Sequence, residues 1–400
     1  MLGLTNWQYR NTVLVLCTLG FASTMVARVV ISPVVPDITD GFGVSTAAVG
    51  LALTGMWAAY ALAQFPSGVL GDRFGERRVI LLAVGGTGLA SLLLAASPSF
   101  ALFALLAVTL GATAGMVYTA ATSLVAKQAP ETGRAIGVYI SGGPLAGLLA
   151  PPVAAAVGAQ FGWRTAIALG VATAIPVFLL FAWRVEPTPP PRPDRTVREQ
   201  IDVDKLADLL TRPAILQATV LAVLGAFTWQ ATASFLPAFL EEFRGHSRTT
   251  TSLLFSGYFF VHGLTQPLTG TLSDRYSRTA AVTLTMTVGV VGYGLLVLGS
   301  SLASAVLAAA LVGLAMSWGA PLQSQFMDAL SDEERGTGFG LVRTAYMVLG
   351  ALGSVVTGAV PDLAGWAVAF GMLAGLMAVG LTILLFGSAA SRIKQSDTIV

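Results

Sequence analysis

Three ionisable side chains interrupt long apolar runs of this 400-residue sequence, namely Arg28, His262 and Arg343. A charged group is costly in a hydrocarbon environment, so each of these residues is a functional candidate. The guanidinium group of arginine can donate two parallel hydrogen bonds to a carboxylate or a phosphate. The imidazole of histidine can change its charge between about pH 5 and 8. The chemistry that these residues offer is therefore anion binding and proton transfer.

Arg28 has polar companions on one face of its predicted helix. Thr24 lies four residues before it and Ser32 four residues after it, a spacing that places all three on the same side. A polar stripe on an apolar helix indicates a water-filled cavity or a protein-lined interior. We predict that Arg28 contacts the substrate, with Thr24 and Ser32 beside it. The alternative is that Arg28 ties helices together through backbone carbonyl groups.

Carboxylates do not occur in the middle of the apolar runs, because the 20 acidic residues fall in loops or near helix ends. Proton coupling would then use His262 or the substrate itself, and the alternative role of His262 is a hydrogen-bonded core residue. The single Cys17 excludes an intramolecular disulfide framework and a cysteine-built metal site. The sequence contains no metal-ligand cluster, nucleophile constellation or phosphate loop. We therefore expect no metal, no cofactor and no enzymatic activity.

The composition indicates an integral membrane protein. Hydrophobic residues make up 55% of the chain and charged residues only 10%, whereas a soluble domain carries about 25% charged residues. The net charge of +2 is scattered over loops, which argues against a nucleic-acid partner. We expect a monomer whose partners are the lipid bilayer and a small-molecule solute.

Twelve apolar runs are long enough to cross a bilayer as helices, which takes about 20 residues each. The runs are too long for the strands of a membrane β-barrel and do not alternate. The predicted fold class is therefore an all-α membrane protein. The predicted helices cover residues 11–35, 47–70, 79–97, 99–125, 135–158, 164–184, 213–239, 250–272, 279–299, 302–329, 337–360 and 364–387.

One loop motif occurs twice, half the chain length apart. The first copy reads GVLGDRFGERR from Gly68, and the second, weaker copy reads GTLSDRYSR from Gly270. A period of this length indicates two copies of one helical unit. We therefore predict two pseudo-symmetric six-helix bundles, residues 1–184 and 213–400, joined by a linker at 185–212.

The linker has two parts. It begins with a proline run, which is extended and solvated. Apolar residues then recur at helical spacing, which predicts a short amphipathic helix at the membrane surface. These residues are Val203, Leu206, Leu209 and Leu210.

Lysine and arginine residues are concentrated in alternate loops. The loops on the other side hold only Arg164, Arg244 and Arg248. Because basic loops stay in the cytoplasm, both termini and the linker are predicted to be cytoplasmic. We predict a multi-pass protein of the cell (plasma) membrane.

The repeated loop motif, together with twelve helices, resembles the major facilitator superfamily of secondary transporters, over essentially the whole chain. The family signature reads Gly-x-Leu-x-Asp-Arg-x-Gly-x-Arg-Arg. The residues that match it here are Gly68, Leu70, Asp72, Arg73, Gly75, Arg77 and Arg78. The resemblance implies alternating access between two six-helix bundles around a central site.

The resemblance also implies that the signature loop closes a cytoplasmic gate. Asp72 would face the N-terminal dipole of the eleventh helix, an interaction of about 0.3–1 kcal/mol. Arg343, predicted at the depth of Asp72, would be a gate residue rather than a substrate ligand. The second copy adds Asp274 and Arg275 to the gate, and Glu76 would pair with a nearby arginine. The alternative is that these charges only fix the topology.

In this family the first, fourth, seventh and tenth helices line the central cavity. The position that matches Arg28 in the second half is near Trp229 and Gln230, so we expect one cation and a singly charged substrate group. Further candidates, whose alternative role is helix packing, are Tyr118 in the fourth helix and Trp318 and Gln325 in the tenth.

The segment from Arg28 to Pro36 resembles the organic-anion branch of the superfamily, the anion:cation symporters. We therefore predict transport of a small organic anion, coupled to a proton or to sodium. One alternative is a proton-coupled drug exporter, which the partial Gly-Pro motif around Pro144 favours. Ala107, where such exporters carry an arginine, argues against it. A second alternative is a non-transporting solute sensor of the same fold.

Overall fold

The computed structural model describes residues 8–128, 132–190, 203–331, 334 and 337–396, and these residues form long helices without a β-strand. Twelve of the helices follow the order of the predicted runs. They are α1 Tyr9–Phe42, α2 Thr46–Phe74, α3 Glu76–Ala95, α4 Phe100–Gln128, α5 Thr132–Phe161, α6 Trp163–Arg184, α7 Pro213–Phe243, α8 Arg248–Arg275, α9 Arg278–Leu298, α10 Leu302–Ala329, α11 Thr337–Ala364 and α12 Trp366–Ser396. The predicted all-α membrane fold is confirmed.

Eleven helices of the described chain are long and apolar enough to cross a membrane. The exception is α8, which has 28 residues and is rich in serine and threonine. Its polar residues are largely buried against other helices or near the cavity described below, among them Thr265 and His262. Polar residues on the side of a helix that faces protein lower its mean hydropathy without contacting lipid.

Prolines interrupt three helices that the sequence predicted as regular. In α1 a 3₁₀ turn at Ser32–Val34 precedes the segment Val35–Phe42, so the helix extends beyond its predicted end at residue 35. A π-helical turn at Phe239–Phe243 follows Pro237 in α7, and a 3₁₀ turn at Met316–Trp318 divides α10. The proline in or beside each of these turns has no N–H group to donate, which favours irregular turns.

The two halves of the chain pack internally and meet along two seams. In the first half α2 packs on α4, and in the second half α7 packs on α11. Between the halves, α2 lies against α11 and α5 lies against α8. Glycine permits the first of these close approaches, because a Cβ atom on Gly50 would lie 2.6 Å from the carbonyl oxygen of Ser354.

We call the end of the bundle with the start of α1 and the linker the terminal face, and the other end the opposite face. The halves are joined by polar contacts at the opposite face. Arg248 Nη2 donates to Asp37 Oδ1 at 2.9 Å, and the backbone N–H of Ala47 donates to Asp362 Oδ2 at 3.1 Å. These contacts close the opposite face between the halves.

The linker contains the predicted short helix, at Val203–Thr211, while residues 191–202 lie outside the described residues. Leu209 is fully buried, and Gly338 at the start of α11 lies against it. Arg212 donates to both carboxylate oxygens of Glu334, at 2.8 and 3.0 Å. This pairing lowers the pKa of Glu334 to about 2. The linker helix is thus attached to protein, in addition to any contact with the membrane surface.

Candidate functional site

A cavity of about 320 Å³ lies between the halves, within the range of small-molecule sites. Eight helices line it, four from each half. The lining residues are Phe21, Met25, Arg28, Trp57, Tyr60, Tyr118, Ile140, Pro144, Ala226, Trp229, Gln230, Phe259, His262, Gln266, Met316, Trp318, Gly319, Ala320, Gln323, Arg343, Tyr346 and Met347. Two of these residues are cationic and none is acidic.

Arg28 lies in the wall of this cavity with only 2% of its surface exposed. Its Nε donates to the carbonyl oxygen of Thr24, one turn earlier, at 3.1 Å. Its Cζ lies 4.0 Å from the ring centroid of Tyr60 and 5.1 Å from that of Trp57. Its buried Nη2 has no hydrogen-bond partner among the described residues. The guanidinium is therefore held in place by its own helix and two rings, and its Nη2 donor is left unpaired within the described residues.

An aromatic wall supports this arginine from both halves. The rings of Trp57 and Trp229 meet edge to face, with centroids 5.2 Å apart, and Trp57 packs in the same way on Tyr60 at 6.1 Å. Such pairs contribute about 0.5–1.5 kcal/mol beyond their buried area. The wall fixes Arg28 where α1, α2 and α7 meet.

Arg343 also lines the cavity, and its predicted depth was wrong. Its Cζ lies 4.5 Å from the ring centroid of Tyr118 on α4. Phe65 of α2 lies against Gly340, three residues before Arg343. Asp72 lies seven residues beyond Phe65, about 10 Å along the helix toward the terminal face. The cavity therefore contains two guanidinium groups, where the sequence analysis expected one.

Polar groups of the second half complete the cavity. His262 Nε2 lies 3.1 Å from Gln266 Nε2, a contact in which the amide donates to the ring. Gln230 Nε2 donates to the carbonyl oxygen of Met347 at 3.2 Å. The buried Nε1 of Trp318 has no hydrogen-bond partner among the described residues.

Five of the eight predicted substrate residues line the cavity, and three do not. Arg28, Tyr118, Trp229, Gln230 and Trp318 are brought together, as is the coupling candidate His262. The hydroxyl groups of the other two α1 residues bond elsewhere, that of Thr24 to the carbonyl oxygen of Phe21 and that of Ser32 to the carbonyl oxygen of Ala233 on α7. Gln325 lies outside the lining residues, and Gln323 takes its place.

Sequence reasoning found His262 of α8 and Arg343 of α11 but assigned no cavity role to α2 or α5 and missed further residues of α8 and α11. It expected substrate contacts from four helices, so it did not find the aromatic residues Trp57, Tyr60 and Tyr346 or the amide of Gln266. A signal was present in α2, because Trp57 and Tyr60 are three residues apart and therefore share a helix face.

The signature loop lies at the terminal face, at the junction of α2 and α3. Gly68 packs close to Thr119 of α4, and Gly75 has a φ of +85°, which favours glycine. Arg77 donates from Nε to the carbonyl oxygen of Val185 at 2.7 Å and from Nη2 to that of Ala182 at 2.6 Å. Arg77 thus binds the end of α6, within its own half.

The other charged gate candidates also lie near the terminal ends of their helices. Asp72 is half-buried, whereas Arg73, Arg78 and Arg275 are exposed. Asp274 is exposed and pairs with Arg278. A gating role for these residues remains a prediction.

Glu76 differs from expectation, because it pairs with Lys127 rather than with an arginine. It is 1% exposed and also accepts a hydrogen bond from Ser123 at 3.0 Å. This contact joins α3 to the end of α4.

The described residues contain no group of three or more His, Cys, Asp or Glu side chains that could hold a metal ion. The chemistry available in the cavity is therefore that of two guanidinium groups, aromatic rings and neutral hydrogen-bonding groups.

Comparisons with known proteins agree with this architecture. The family model of the Major Facilitator Superfamily matches residues 17–247 and 218–398. The chain is 27% identical to the probable sulfoacetate transporter SauU of Cupriavidus necator, over 93% of this chain and 92% of that protein. It is 25% identical to a voltage-gated purine nucleotide uniporter of Homo sapiens, over 90% of this chain and 88% of that one.

A similar fold occurs in a solved bacterial homologue of the human lysosomal transporter Spinster, in an inward-facing and unoccupied conformation. The TM-score is 0.76 with 19% sequence identity, and the match covers 96% of each chain.

Proposed function

This chain belongs to the Major Facilitator Superfamily, and from that premise we propose that it carries a small organic anion across a membrane by alternating access. Its family and its relatives make it a multi-pass membrane transporter of small solutes rather than an enzyme. One observation supports an anion as the solute. The guanidinium of Arg28 is buried in the cavity wall, and its Nη2 has no partner among the described residues.

The contacts of Arg28 roughly offset the cost of burying it but leave its charge without a counter-charge. Burying a guanidinium in a membrane costs about 2.5–3.5 kcal/mol even on the mildest scale. The rings of Tyr60 and Trp57 return about 0.5–2 kcal/mol each, and the hydrogen bond from the charged guanidinium to Thr24 about 1.5–3 kcal/mol. No carboxylate among the cavity residues supplies a counter-charge. An anionic solute would supply one.

The same cavity argues against an exporter of hydrophobic cations. A cationic drug would meet like charge from Arg28 without a compensating carboxylate in the lining. The partial Gly-Pro motif of such exporters has a packing role here, because Pro144 lies at the seam against Gly263 of α8, where an added Cβ atom would be 2.5 Å away.

The solutes named for two relatives support an organic anion as the solute of this chain. Sulfoacetate and purine nucleotides are both organic anions, and both relatives match about nine-tenths of this chain. We infer the same broad class for this chain, with sulfoacetate as the first compound to test.

For the transport cycle we propose that residues 1–184 and 213–400 move as two bundles about the cavity, joined by the linker 185–212. Opening of the opposite face would require the Asp37–Arg248 pair to separate. We propose that the protein lies in the cell membrane with both termini in the cytoplasm. We further propose symport with a proton or sodium, since the expected solute is negatively charged and needs a driving ion.

The direct test is uptake of labelled sulfoacetate into proteoliposomes that contain the purified full-length chain, with protein-free liposomes as the control. In parallel, a thermal-shift screen compares sulfoacetate with the hydrophobic cation tetraphenylphosphonium. A ligand at 100 times its Kd stabilises the folded state by about 2.7 kcal/mol. Stabilisation and uptake of sulfoacetate or another organic anion support the proposal. Stabilisation by the cation alone supports the exporter, and anion binding without uptake supports the sensor.

A further inference from the structure

The cavity contains a second guanidinium whose role the proposed function leaves open. Arg343 comes from α11 in the second half, whereas Arg28 comes from α1 in the first. Each arginine lies over the ring of a tyrosine, Arg343 over Tyr118 and Arg28 over Tyr60. No acidic residue stands beside them in the cavity lining.

The two tyrosines lie on closely packed neighbouring helices of the first half. Tyr118 lies on α4, three residues after Gly115, and a Cβ atom on Gly115 would be 3.0 Å from the Cα of Tyr60 on α2. The two arginines therefore lie against neighbouring helices at one side of a cavity of about 320 Å³. A solute of a few carbon atoms fits in this volume, with both guanidinium groups in the surrounding walls.

Two like charges in one cavity repel each other, and each guanidinium stays protonated in proteins. A solute with one negative group can neutralise only one of them. A solute with two separate negative groups can give each guanidinium a charge-assisted pair of hydrogen bonds.

We propose that the solute of this transporter is a short-chain dianion with one acidic group for Arg28 and the other for Arg343. This proposal rests on the proposed function, because it specifies the class of anion at the same site. It replaces the expectation of a singly charged substrate group. The dianion joins the two halves of the protein through one guanidinium from each.

The probes are dicarboxylates and their monoamides, which have the same shape but only one charge. Binding of malonate, succinate and glutarate to the full-length chain in lipid nanodiscs is compared with that of malonamate, succinamate and glutaramate. Sulfate serves as a dianion whose charges share one centre. We expect the best dicarboxylate to bind about 10- to 100-fold more tightly than its monoamide and than sulfate.

Two variants then assign the preference to its residue. Arg343→Gln should bind the dicarboxylate no more than about 3-fold better than its monoamide, while its affinity for the monoamide stays near the wild-type value. Arg184→Gln is the matched control, because Arg184 is exposed at the end of α6, stacks on Trp183 and lies outside the cavity. It should keep the full preference.

Equal binding of dicarboxylate and monoamide by the wild type would overturn the two-ended site while leaving an organic anion as the solute. So would a preference that survives Arg343→Gln, or sulfate binding as tightly as the best dicarboxylate. If Arg343→Gln does not fold, the binding of dicarboxylate, monoamide and sulfate by the wild type decides whether the site has two ends. Stabilisation by tetraphenylphosphonium with no anion binding would overturn the proposed function itself.

Discussion

The role of Arg28 can be tested by separating what it contributes to folding from what it contributes to binding. Arg28→Gln removes the charge and keeps a side chain of similar polarity. In the empty protein this change relieves the burial of a guanidinium, worth about 2.5–3.5 kcal/mol. It also removes the stacking on Tyr60 and Trp57, about 0.5–2 kcal/mol each, and the hydrogen bond to Thr24. These contributions largely offset each other, so the free energy of unfolding should fall by only about 2 kcal/mol.

Binding should respond much more strongly. A charge-assisted hydrogen bond contributes about 1.5–3 kcal/mol, and 1.4 kcal/mol is a factor of ten in affinity. Arg28→Gln loses two such bonds, so the affinity for succinate should fall at least about 100-fold. Arg28→Lys keeps the charge but lacks the planar fork and the Nε contact with Thr24, so a fall of about 10-fold is expected.

The assay is a thermal-unfolding series of purified protein with increasing succinate, together with direct titration. Arg184→Gln is carried through as a control for removal of an arginine from the exposed end of a helix. Wild-type affinity in Arg28→Gln would refute the anion site. A loss of several kcal/mol in the empty variant would show instead that Arg28 ties helices together, the role that the sequence left open.

Three further predictions concern groups outside the anion site or at its edge. Asp72→Asn should bias the protein toward opening at the terminal face and slow transport with little loss of binding; unchanged cysteine accessibility at that face would contradict the gate. His262→Gln should flatten the pH dependence of uptake between about pH 5 and 8, and an unaltered profile would leave uniport, exchange or sodium coupling. The pKa of Glu334 is lowered to about 2, whereas the pKa of a glutamate in the unfolded chain is about 4.3. The stability that its pairing with Arg212 contributes is therefore fully present above about pH 4.3 and is lost only as the pH falls toward 2. Glu334→Gln should therefore expose position 209 at neutral pH, whereas this position should stay protected down to about pH 4 when Glu334 is present. The measurement is labelling of a cysteine placed at position 209.

The sequence by itself determined the helices and the presence of a buried charge. Apolar runs of about 20 residues have few alternatives to spanning a bilayer as helices, because every backbone polar group must be satisfied within the segment. For the same physical reason, Arg28 in the middle of such a run had to face protein or water rather than lipid. These conclusions need only local composition and spacing, which a single sequence contains.

The tertiary structure alone decided which residues share the cavity. The depth of Arg343 depends on the axial offset between the packed helices α11 and α2, and the sequence alone does not specify that offset. The choice of Gln323 over Gln325 follows from the 3₁₀ turn at Met316–Trp318, because a turn of three residues changes which face of the following helix points inward. Helical periodicity predicts neighbours along one helix, whereas a site between the halves is built from contacts between helices distant in sequence.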